Sequence, residues 1–281
     1  MNERTLGSLF TGGGGLDYGL EMAGFVTRWQ VEWDPRNQHL LEHGWGGRWR
    51  DVPRYGDIRT VDFAALDRVD LLAGGFPCQP VSVAGAGLAQ DDPRWLWPEF
   101  ARAIRELRPA YVLVENVAGL LVRGIHVVLG DLAALGYDAE WTCFPAAALG
   151  APHRRDRCWI VAYAEGEPVR AGLREGDEAG QRGRRSRDSG RPPGVVADTE
   201  GVGVEGDGAH RLILPPAPSL AEILGRYGAG PGADQWAVEP NVGRMAHGVA
   251  RRGDRLWTLG NGVVPQVAEV IGRLILEDMA S

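Results

Sequence analysis

Lysine is absent from this sequence of 281 residues, and cysteines and long apolar runs are scarce. All 30 basic residues are arginines, which indicates a coding sequence rich in G and C rather than a particular function. No apolar run approaches the roughly 20 residues that span a bilayer. The first residues also lack the pattern of a secretory signal, so we expect a cytoplasmic protein.

The small number of cysteines argues against two classes of site. Cys78, Cys143 and Cys158 have neither the spacing of a metal site nor the even count of a disulfide framework. We therefore expect no bound metal, and structural thiols with at most one reactive cysteine among them.

The formal net charge of −7, taken alone, argues against a nucleic acid as partner. The argument is weak, because a protein that acts on nucleic acid needs only one basic face. Arginine also suits phosphates and base edges better than lysine does. Net charge therefore leaves this class of partner open.

Up to about Ala164, short β-rich runs alternate with helical patterns, which predicts an α/β fold. The predicted strands cover residues 5–10, 26–32, 69–73 and 110–115, and the predicted helices cover residues 16–23, 98–107 and 125–135. Residues 137–148 and 157–164 are predicted to form a closing antiparallel pair.

The sequence changes character after Ala164. Residues 165–194 are rich in Gly, Arg, Glu and Asp with almost no large apolar side chains, so we expect a flexible insertion. Residues 195–239 contain only short apolar runs. A regular pattern returns from Arg244 onward, with a predicted helix at 265–277.

Four consecutive glycines, Gly12 to Gly15, follow the first predicted strand, and Glu32 ends the second. Glycines let the backbone approach a ligand closely, and an acid at this place can bind both hydroxyls of a ribose. The spacing departs from the G-x-G-x-x-G pattern of dinucleotide sites, and a simple tight turn also explains it. Alone, this pattern indicates only a candidate site for an adenosine-containing cofactor.

Cys78 lies between Pro77 and Gln79-Pro80, just after a buried predicted strand. Ligands in α/β folds bind at this edge of the sheet. A half-buried structural cysteine is the commoner case. The flanking prolines and the glycine-rich segment that follows favour a rigid mount for a nucleophile, next to a hinged loop.

Glu115 ends another apolar strand, where a carboxylate is costly unless it is paired or functional. Its neighbour Asn116 would also suit the cap of a following helix. Residues 153–157 form a compact charged turn that includes Arg155 and Arg157, and taken alone this turn is best explained as a solvated hairpin tip.

Taken in chain order, these features resemble the C5-cytosine-specific DNA methyltransferases. The similar motifs are Phe10-x-Gly12-x-Gly14-Gly15, Glu32-Trp33-Asp34, Gly56-Asp57-Ile58, Pro77-Cys78-Gln79, Asp92-x-Arg94-x-Leu96, Glu115-Asn116-Val117, Arg155-x-Arg157 and Gly260-Asn261-Gly262-Val263-Val264-Pro265. Eight motifs in the family's order are specific, whereas one alone would be weak.

The resemblance implies a Rossmann-like fold that uses S-adenosylmethionine, with a mostly parallel twisted sheet and an antiparallel closing strand. Residues 1–164 and 255–281 would form the catalytic domain, and residues 165–254 a small, irregular region that recognises the target. The residues expected to bind the cofactor are Phe10, Gly12, Gly14, Glu32, Trp33, Asp57, Ile58, Pro77, Asn261 and Val263.

The resemblance also implies a mechanism on a cytosine flipped out of duplex DNA. Cys78 would attack C6 of the base, Glu115 would hydrogen-bond N3 and the amino group, and Arg157 would hold O2. Arg155 would support the same loop. We further expect a nucleoid-associated monomer, with a cognate restriction endonuclease as a functional partner.

Two departures from the family pattern leave questions open. His153 stands where the family usually has glutamine, and the penultimate family motif, which precedes the last element, is missing. A tRNA cytosine-5 methyltransferase is an alternative, although its Cys-Phe-Thr motif is absent between Ala164 and Arg255. The imperfect glycine pattern and the Pro-Cys-Gln and Glu-Asn-Val motifs argue against a nicotinamide-dependent oxidoreductase. An inactive DNA-binding homologue fits less well, because Cys78, Glu115, Arg155 and Arg157 are all present.

Overall fold

The computed structural model describes residues 3–77, 94–151, 155–164 and 262–280. Its strands are β1 (Arg4–Leu9), β2 (Phe25–Val31), β3 (Arg54–Tyr55), β4 (Leu71–Gly74), β5 (Tyr111–Val117), β6 (Tyr137–Pro145) and β7 (Asp156–Ala164). They form one sheet in the order β3-β2-β1-β4-β5-β7-β6. Strand β7 is antiparallel to β5 and β6, and the other paired strands are parallel. The expected mostly parallel sheet with an antiparallel closing strand is confirmed.

Helices cover both faces of this sheet. They are α1 (Gly15–Ala23), α2 (Pro35–His43), α3 (Trp97–Leu107), α4 (Leu120–Arg123), α5 (Ile125–Ala134) and α6 (Pro265–Asp278). Short 3-10 turns lie at Trp45–Gly47, Ile58–Thr60, Phe63–Ala65 and Ala146–Leu149. Among the helices of the described ranges, none is long and apolar enough to cross a membrane.

The central strands are apolar because both of their faces are covered. All four residues of β4 are buried, as are the first six of β5. One core lies on the face covered by α3 and α5 and includes Trp97, Phe100 and Ile104. A second core lies on the face covered by α1 and α6 and includes Leu20, Val267 and Ile271.

Every strand and helix predicted within residues 5–164 is present, and so is the last predicted helix. Their ends differ from the predicted ends by at most two residues, except that β6 ends before the 3-10 turn at Ala146–Leu149. Helix α2, strand β3 and helix α4 were not predicted. The predicted recognition region at residues 165–254 lies outside the described residues, so the division into a catalytic domain and a recognition region stays a prediction.

Candidate active site

The carboxyl ends of four parallel strands lie side by side. Leu9 of β1 is paired with Val31 of β2 and with Gly74 of β4. Gly74 is paired in turn with Val114 of β5. The residues that follow these positions therefore share one edge of the sheet, which is where open α/β sheets bind ligands. They are Phe10, Glu32, Gly75 and Glu115.

The glycine turn after β1 is held by the carboxylate of Glu32. Glu32 Oε2 accepts a hydrogen bond from the backbone N–H of Gly12 at 2.6 Å, and Oε1 accepts one from the N–H of Asp34 at 2.8 Å. Burial raises the pKa of Glu32 above its ordinary value, while these two backbone donors oppose the shift. The predicted ribose-binding acid thus also fixes the turn.

Backbone geometry marks the same turn as unusual. Phe10 has a φ of 53°, and Gly12 and Gly14 have φ values of 58° and 83°. Glycine adopts this region without strain, whereas a residue such as Phe10 does so at a cost of about 1–3 kcal/mol. Strained residues of this kind cluster at ligand sites, so the strain at Phe10 supports its predicted place in the cofactor site.

Three further predicted cofactor residues lie beyond β2 and β3. The Trp33 side chain is 73% exposed, whereas Ile58 is 3% exposed and belongs to the first core. Asp57 caps the turn at Ile58–Thr60 by accepting from the Arg59 N–H at 3.0 Å. The Arg59 guanidinium also lowers the pKa of Asp57 below its ordinary value.

The segment before α6 returns to the glycine turn. A Cβ atom on Gly15 would collide with the backbone carbonyl of Val263, so this contact requires glycine. The Arg155 guanidinium donates to the carbonyl of Gly262, which ties the β7 side of the site to the same segment. Val263 therefore lies against the first motif, and its contact with the cofactor stays a prediction. Asn261 lies outside the described residues.

Glu115 and Arg157 form an ion pair at the end of β5. Arg157 Nε lies 3.0 Å from Glu115 Oε1. The Glu115 side chain is 11% exposed, and a Cβ atom on Gly75 would lie only 2.7 Å from its Oε2. Burial raises the pKa of Glu115, and the positive charges of Arg157 and Arg155 oppose that shift. The antiparallel pairing of β5 with β7 brings Arg157 next to Glu115.

Arg155 and Arg157 also line a narrow cleft with Phe144, Trp159 and Val267. Arg155 has a φ of 41°, a second strained residue at this edge of the sheet. Desolvation lowers the pKa of Arg155, and the neighbouring charge of Arg157 acts in the same direction. The described end of the predicted charged turn, residues 155–157, is therefore partly buried against the site rather than part of a solvated hairpin tip.

Asn116 anchors the chain that leads to Cys78. Its Nδ2 donates to the carbonyl of Phe76 at 3.1 Å, and both residues are buried. Phe76 packs edge-on against Trp95 with ring centroids 5.2 Å apart. Pro77 is the last residue described before Cys78, which itself lies outside the described residues. Asn116 thus has a role other than the helix cap considered from sequence.

The sequence did not single out three other groups around the turn. Ser8, Asp17 and Gln30 form a buried hydrogen-bonded network beneath it. Arg102 of α3 donates to the carbonyl of Ile58 at 2.7 Å, and Asn37 lies 3.4 Å from Glu32 Oε1. The sequence signal for this network is weak: Asp17 is an acid next to Leu16 in a helix whose apolar side faces the core. No cluster of three or more candidate metal ligands occurs within the described ranges.

Comparison with known proteins gives one family. The model of the C-5 cytosine-specific DNA methylase family matches residues 5–186. Type II methyltransferase M.NgoBI of Neisseria gonorrhoeae is 33% identical over 165 residues, which is 57% of this chain and 50% of that protein. Type II methyltransferase M.Eco47II of Escherichia coli is 39% identical over 168 residues, 57% of this chain and 40% of that protein.

The chain spans half or less of the length of these two relatives. Among solved structures, the S. pombe Dnmt2 methyltransferase is similar at 21% identity with a TM-score of 0.48, covering 58% of this chain and 50% of that one. Because the family model matches more than half of the sequence, including the glycine turn, Glu115 and both arginines, the chain belongs to the C-5 cytosine-specific DNA methylase family.

Proposed function

We propose that this chain catalyses transfer of a methyl group from S-adenosylmethionine to C5 of a cytosine flipped out of duplex DNA. The observation that carries the proposal is the buried ion pair of Glu115 with Arg157, beside the segment that leads into Cys78. Family membership supports the same reaction class. It gives no support to the oxidoreductase alternative.

The residues at the β1 and β2 edge fit S-adenosylmethionine. Gly12 has only the Phe10 carbonyl within 4 Å of where its Cβ would be, at 3.8 Å, so the turn leaves open space. The Glu32 carboxylate has the chemistry to bind a ribose diol, and the exposed Trp33 indole offers a surface for adenine. Phe10, Gly14, Asp57, Ile58, Pro77, Asn261 and Val263 complete the proposed site. The bound cofactor supplies an electrophilic methyl group.

Glu115 would act on the pyrimidine ring. A carboxyl with a raised pKa holds a proton more readily, and it can share that proton with N3 while the amino group donates to its other oxygen. This interaction stabilises the charge that develops when a thiolate adds to C6. Arg157 would exchange part of its contact with Glu115 for the O2 atom of the base, and Arg155 would hold the loop in place.

Cys78 would form and later break the covalent bond to C6. Addition of its thiolate converts C5 from a poor nucleophile into an enamine carbon that takes the methyl group. Loss of the C5 proton and elimination then release the thiol. The chemistry requires the base to leave the stack.

The remaining expectations belong to the same proposal. Residues 165–254 would recognise the DNA target, and residues 1–164 and 255–281 would form the catalytic domain. We propose a monomer that acts on nucleoid DNA in the cytoplasm. The Type II names of the relatives suggest a cognate restriction endonuclease as a functional partner.

The test uses the full chain with radiolabelled S-adenosylmethionine and either duplex DNA or tRNA. We expect label in DNA at C5 of cytosine, and a Cys78→Ser variant with less than about 1% of that rate, because a hydroxyl is a far weaker nucleophile than a thiolate. Cys143→Ser is the matched control and should keep wild-type activity under reducing conditions. Labelling of tRNA alone, or a fully active Cys78→Ser variant, would contradict the proposal.

A second measurement isolates the covalent step. Duplex DNA with 5-fluorocytosine at the target position cannot lose a C5 proton, so the adduct should persist on a denaturing gel. We expect a stable complex with the wild-type protein and none with Cys78→Ser.

A further inference from the structure

Cys143 and Cys158 lie directly opposite each other on β6 and β7. The antiparallel register pairs Cys143 with Cys158, between the pairs Thr142 with Trp159 and Phe144 with Arg157. Residues paired in this way project from the same face of a sheet. The two thiols are therefore neighbours although fifteen positions separate them along the chain.

The geometry suits a disulfide. Directly opposed residues on antiparallel strands have Cα atoms about 4.5–5.5 Å apart. Disulfides join cysteines whose Cα atoms are about 4.4–6.8 Å apart. A hydrogen-bonding interaction between the two side chains also shifts the pKa of both thiols, as expected of neighbouring sulfur atoms. Both cysteines are free thiols in the structure.

The two thiols differ in reactivity. Cys143 is exposed, and the hydrogen bond from Cys158 lowers its pKa, which favours the reactive thiolate. Cys158 is fully buried, and its donated hydrogen bond and its burial raise its pKa. This asymmetry is that of an attacking cysteine with a resolving partner beside it.

We propose that Cys143 and Cys158 are a redox-active dithiol that closes to a cross-strand disulfide in the presence of a peroxide. The site is separate from Cys78 and does not depend on the proposed methyl transfer. Cytosolic disulfides are usually transient, so the reversible form is the expected one.

The reaction balances with one peroxide. The Cys143 thiolate attacks one peroxide oxygen, the O–O bond breaks, and the departing hydroxide takes a proton from solvent to form water. This leaves a sulfenic acid on Cys143. The Cys158 sulfur then attacks the Cys143 sulfur, the S–S bond forms, and the S–O bond breaks with loss of a second water that carries the Cys158 proton. Two thiols are oxidised and one peroxide is reduced.

The position of the pair gives the disulfide a structural consequence. Cys158 follows Arg157 on β7 and is paired across the sheet with Asn116, which holds the Phe76 carbonyl. A bond from Cys158 to Cys143 would link β6 covalently to β7. The chain between these two cysteines, which carries Arg155, would then be a covalently closed loop. Oxidation would thus restrain the strand end that presents both arginines.

The test treats the full chain with stoichiometric hydrogen peroxide and then counts thiols after denaturation. The reduced chain has three titratable thiols, one for each cysteine. We expect loss of two of them, a mass lower by about 2 Da, and a peptide map that links Cys143 to Cys158. A thiol reductant should restore all three.

Two variants make the result decisive. Cys78→Ser should still form the bond, which separates the pair from the candidate nucleophile. Cys143→Ser should form no disulfide while it retains the cofactor affinity of the wild-type protein. A link between Cys78 and either other cysteine, or Cys143 held at the sulfenic or sulfinic stage with the Cys158 thiol intact, would overturn the proposal.

Discussion

At the scale of single residues, Glu32 contacts both sides of the candidate cofactor site. Its two oxygens accept from the N–H groups of Gly12 and Asp34, so the carboxylate orders the turn before any ligand binds. The same group would lie against the ribose. Replacement of Glu32 would therefore remove the proposed ligand contact as well as the two hydrogen bonds that order the turn.

We expect Glu32→Ala to weaken S-adenosylmethionine binding by about 2–3 kcal/mol, the value of a lost pair of charge-assisted hydrogen bonds. Isothermal titration calorimetry of the full chain measures this. Glu42→Ala, on the exposed side of α2, is the matched control and should bind as the wild type does. An unchanged dissociation constant for Glu32→Ala would remove this residue from the site.

Asp17 is the centre of a second buried network. Its carboxylate accepts from Ser8 Oγ at 2.7 Å and from Gln30 Nε2 at 2.8 Å, and Arg54 fixes the Gln30 side chain by donating to Oε1 at 2.9 Å. Ser8 also hydrogen-bonds the Thr11 hydroxyl of the glycine turn at 2.9 Å. Complete burial raises the pKa of Asp17 to about 6, with a smaller contribution in the same direction from Glu21.

This shift predicts a pH dependence of stability. The pKa of Asp17 is 3.8 as a free group and about 6 in the fold, so the native chain binds more protons between these values. Its contribution is complete below about pH 4 and is lost as pH rises through about 6. The loss is on the order of 3 kcal/mol.

Asp17→Asn should abolish that part of the pH dependence. The free energy of unfolding of the variant, minus that of the wild type, should rise by on the order of 3 kcal/mol from pH 4 to pH 7. Chemical denaturation at a series of pH values measures it, with Asp51→Asn at an exposed position as the control. A difference that is constant with pH would show that Asp17 titrates normally.

Glu32, Glu115 and Asp17 show what a sequence can and cannot reveal about a site. Glu32 and Glu115 were predicted, because an acid that ends an apolar strand is conspicuous and the motifs place both at one edge of the sheet. The network of Asp17 was not, because Ser8 and Gln30 come together only when β1 pairs with β2. Contacts that depend on strand pairing have no local signal.

At the scale of elements, glycines allow α1 and α6 to pack unusually closely. A Cβ atom on Gly19 would collide with the carbonyl of Pro265 and would lie 2.6 Å from the Ala268 side chain. On the facing helix, a Cβ atom on Gly272 would lie 2.8 Å from that of Ala23. These contacts join the helix that follows the first motif to the helix that begins at the end of the last motif.

We expect Gly19→Ala to destabilise the fold by about 1–3 kcal/mol, the usual cost of overpacking. The matched control is Gly130→Ala in α5, where an added Cβ atom would meet nothing within 4 Å. That control should stabilise by about 0.5–1 kcal/mol, because alanine is the better helix former. Chemical denaturation of both variants gives the comparison, and equal effects would exclude the close approach as the cause.

The elements that sequence predicted are those with a strong apolar pattern. Strands β4 and β5 are buried on both faces, and α3 buries six of its eleven residues. Helix α2 lacks this pattern, since only Asn37 and Leu41 are buried along it. Its start is nevertheless marked by Asp34, which caps the helix, and by Pro35 at the first position. Strand β3 has two residues, too few for any periodicity.

At the scale of the whole molecule, the last helix packs against a sheet whose described strands all lie before residue 165. Tyr111 opens the central strand β5, and its hydroxyl donates to Asp278 Oδ2 at 2.6 Å with both side chains buried. Arg4 of β1 also donates to the carbonyl of Met279 at 3.1 Å. Residues 262–280 therefore belong to the same folded unit, although 97 residues outside the described ranges lie between them and Ala164.

This connection predicts that stability depends on the hydrogen bond from Tyr111 to Asp278. Tyr111→Phe keeps the ring in the second core but removes the donor, so a buried carboxylate oxygen loses its partner hydroxyl. The expected cost is about 1–3 kcal/mol in the free energy of unfolding. Tyr18→Phe is the control, because Tyr18 contacts Trp45 and Arg48 through its ring, which the substitution keeps. If the bond joins the two parts of one cooperative unit, denaturation of Tyr111→Phe followed by fluorescence and by circular dichroism should shift to the same lower midpoint. Separate transitions would show instead that α6 unfolds independently of the sheet.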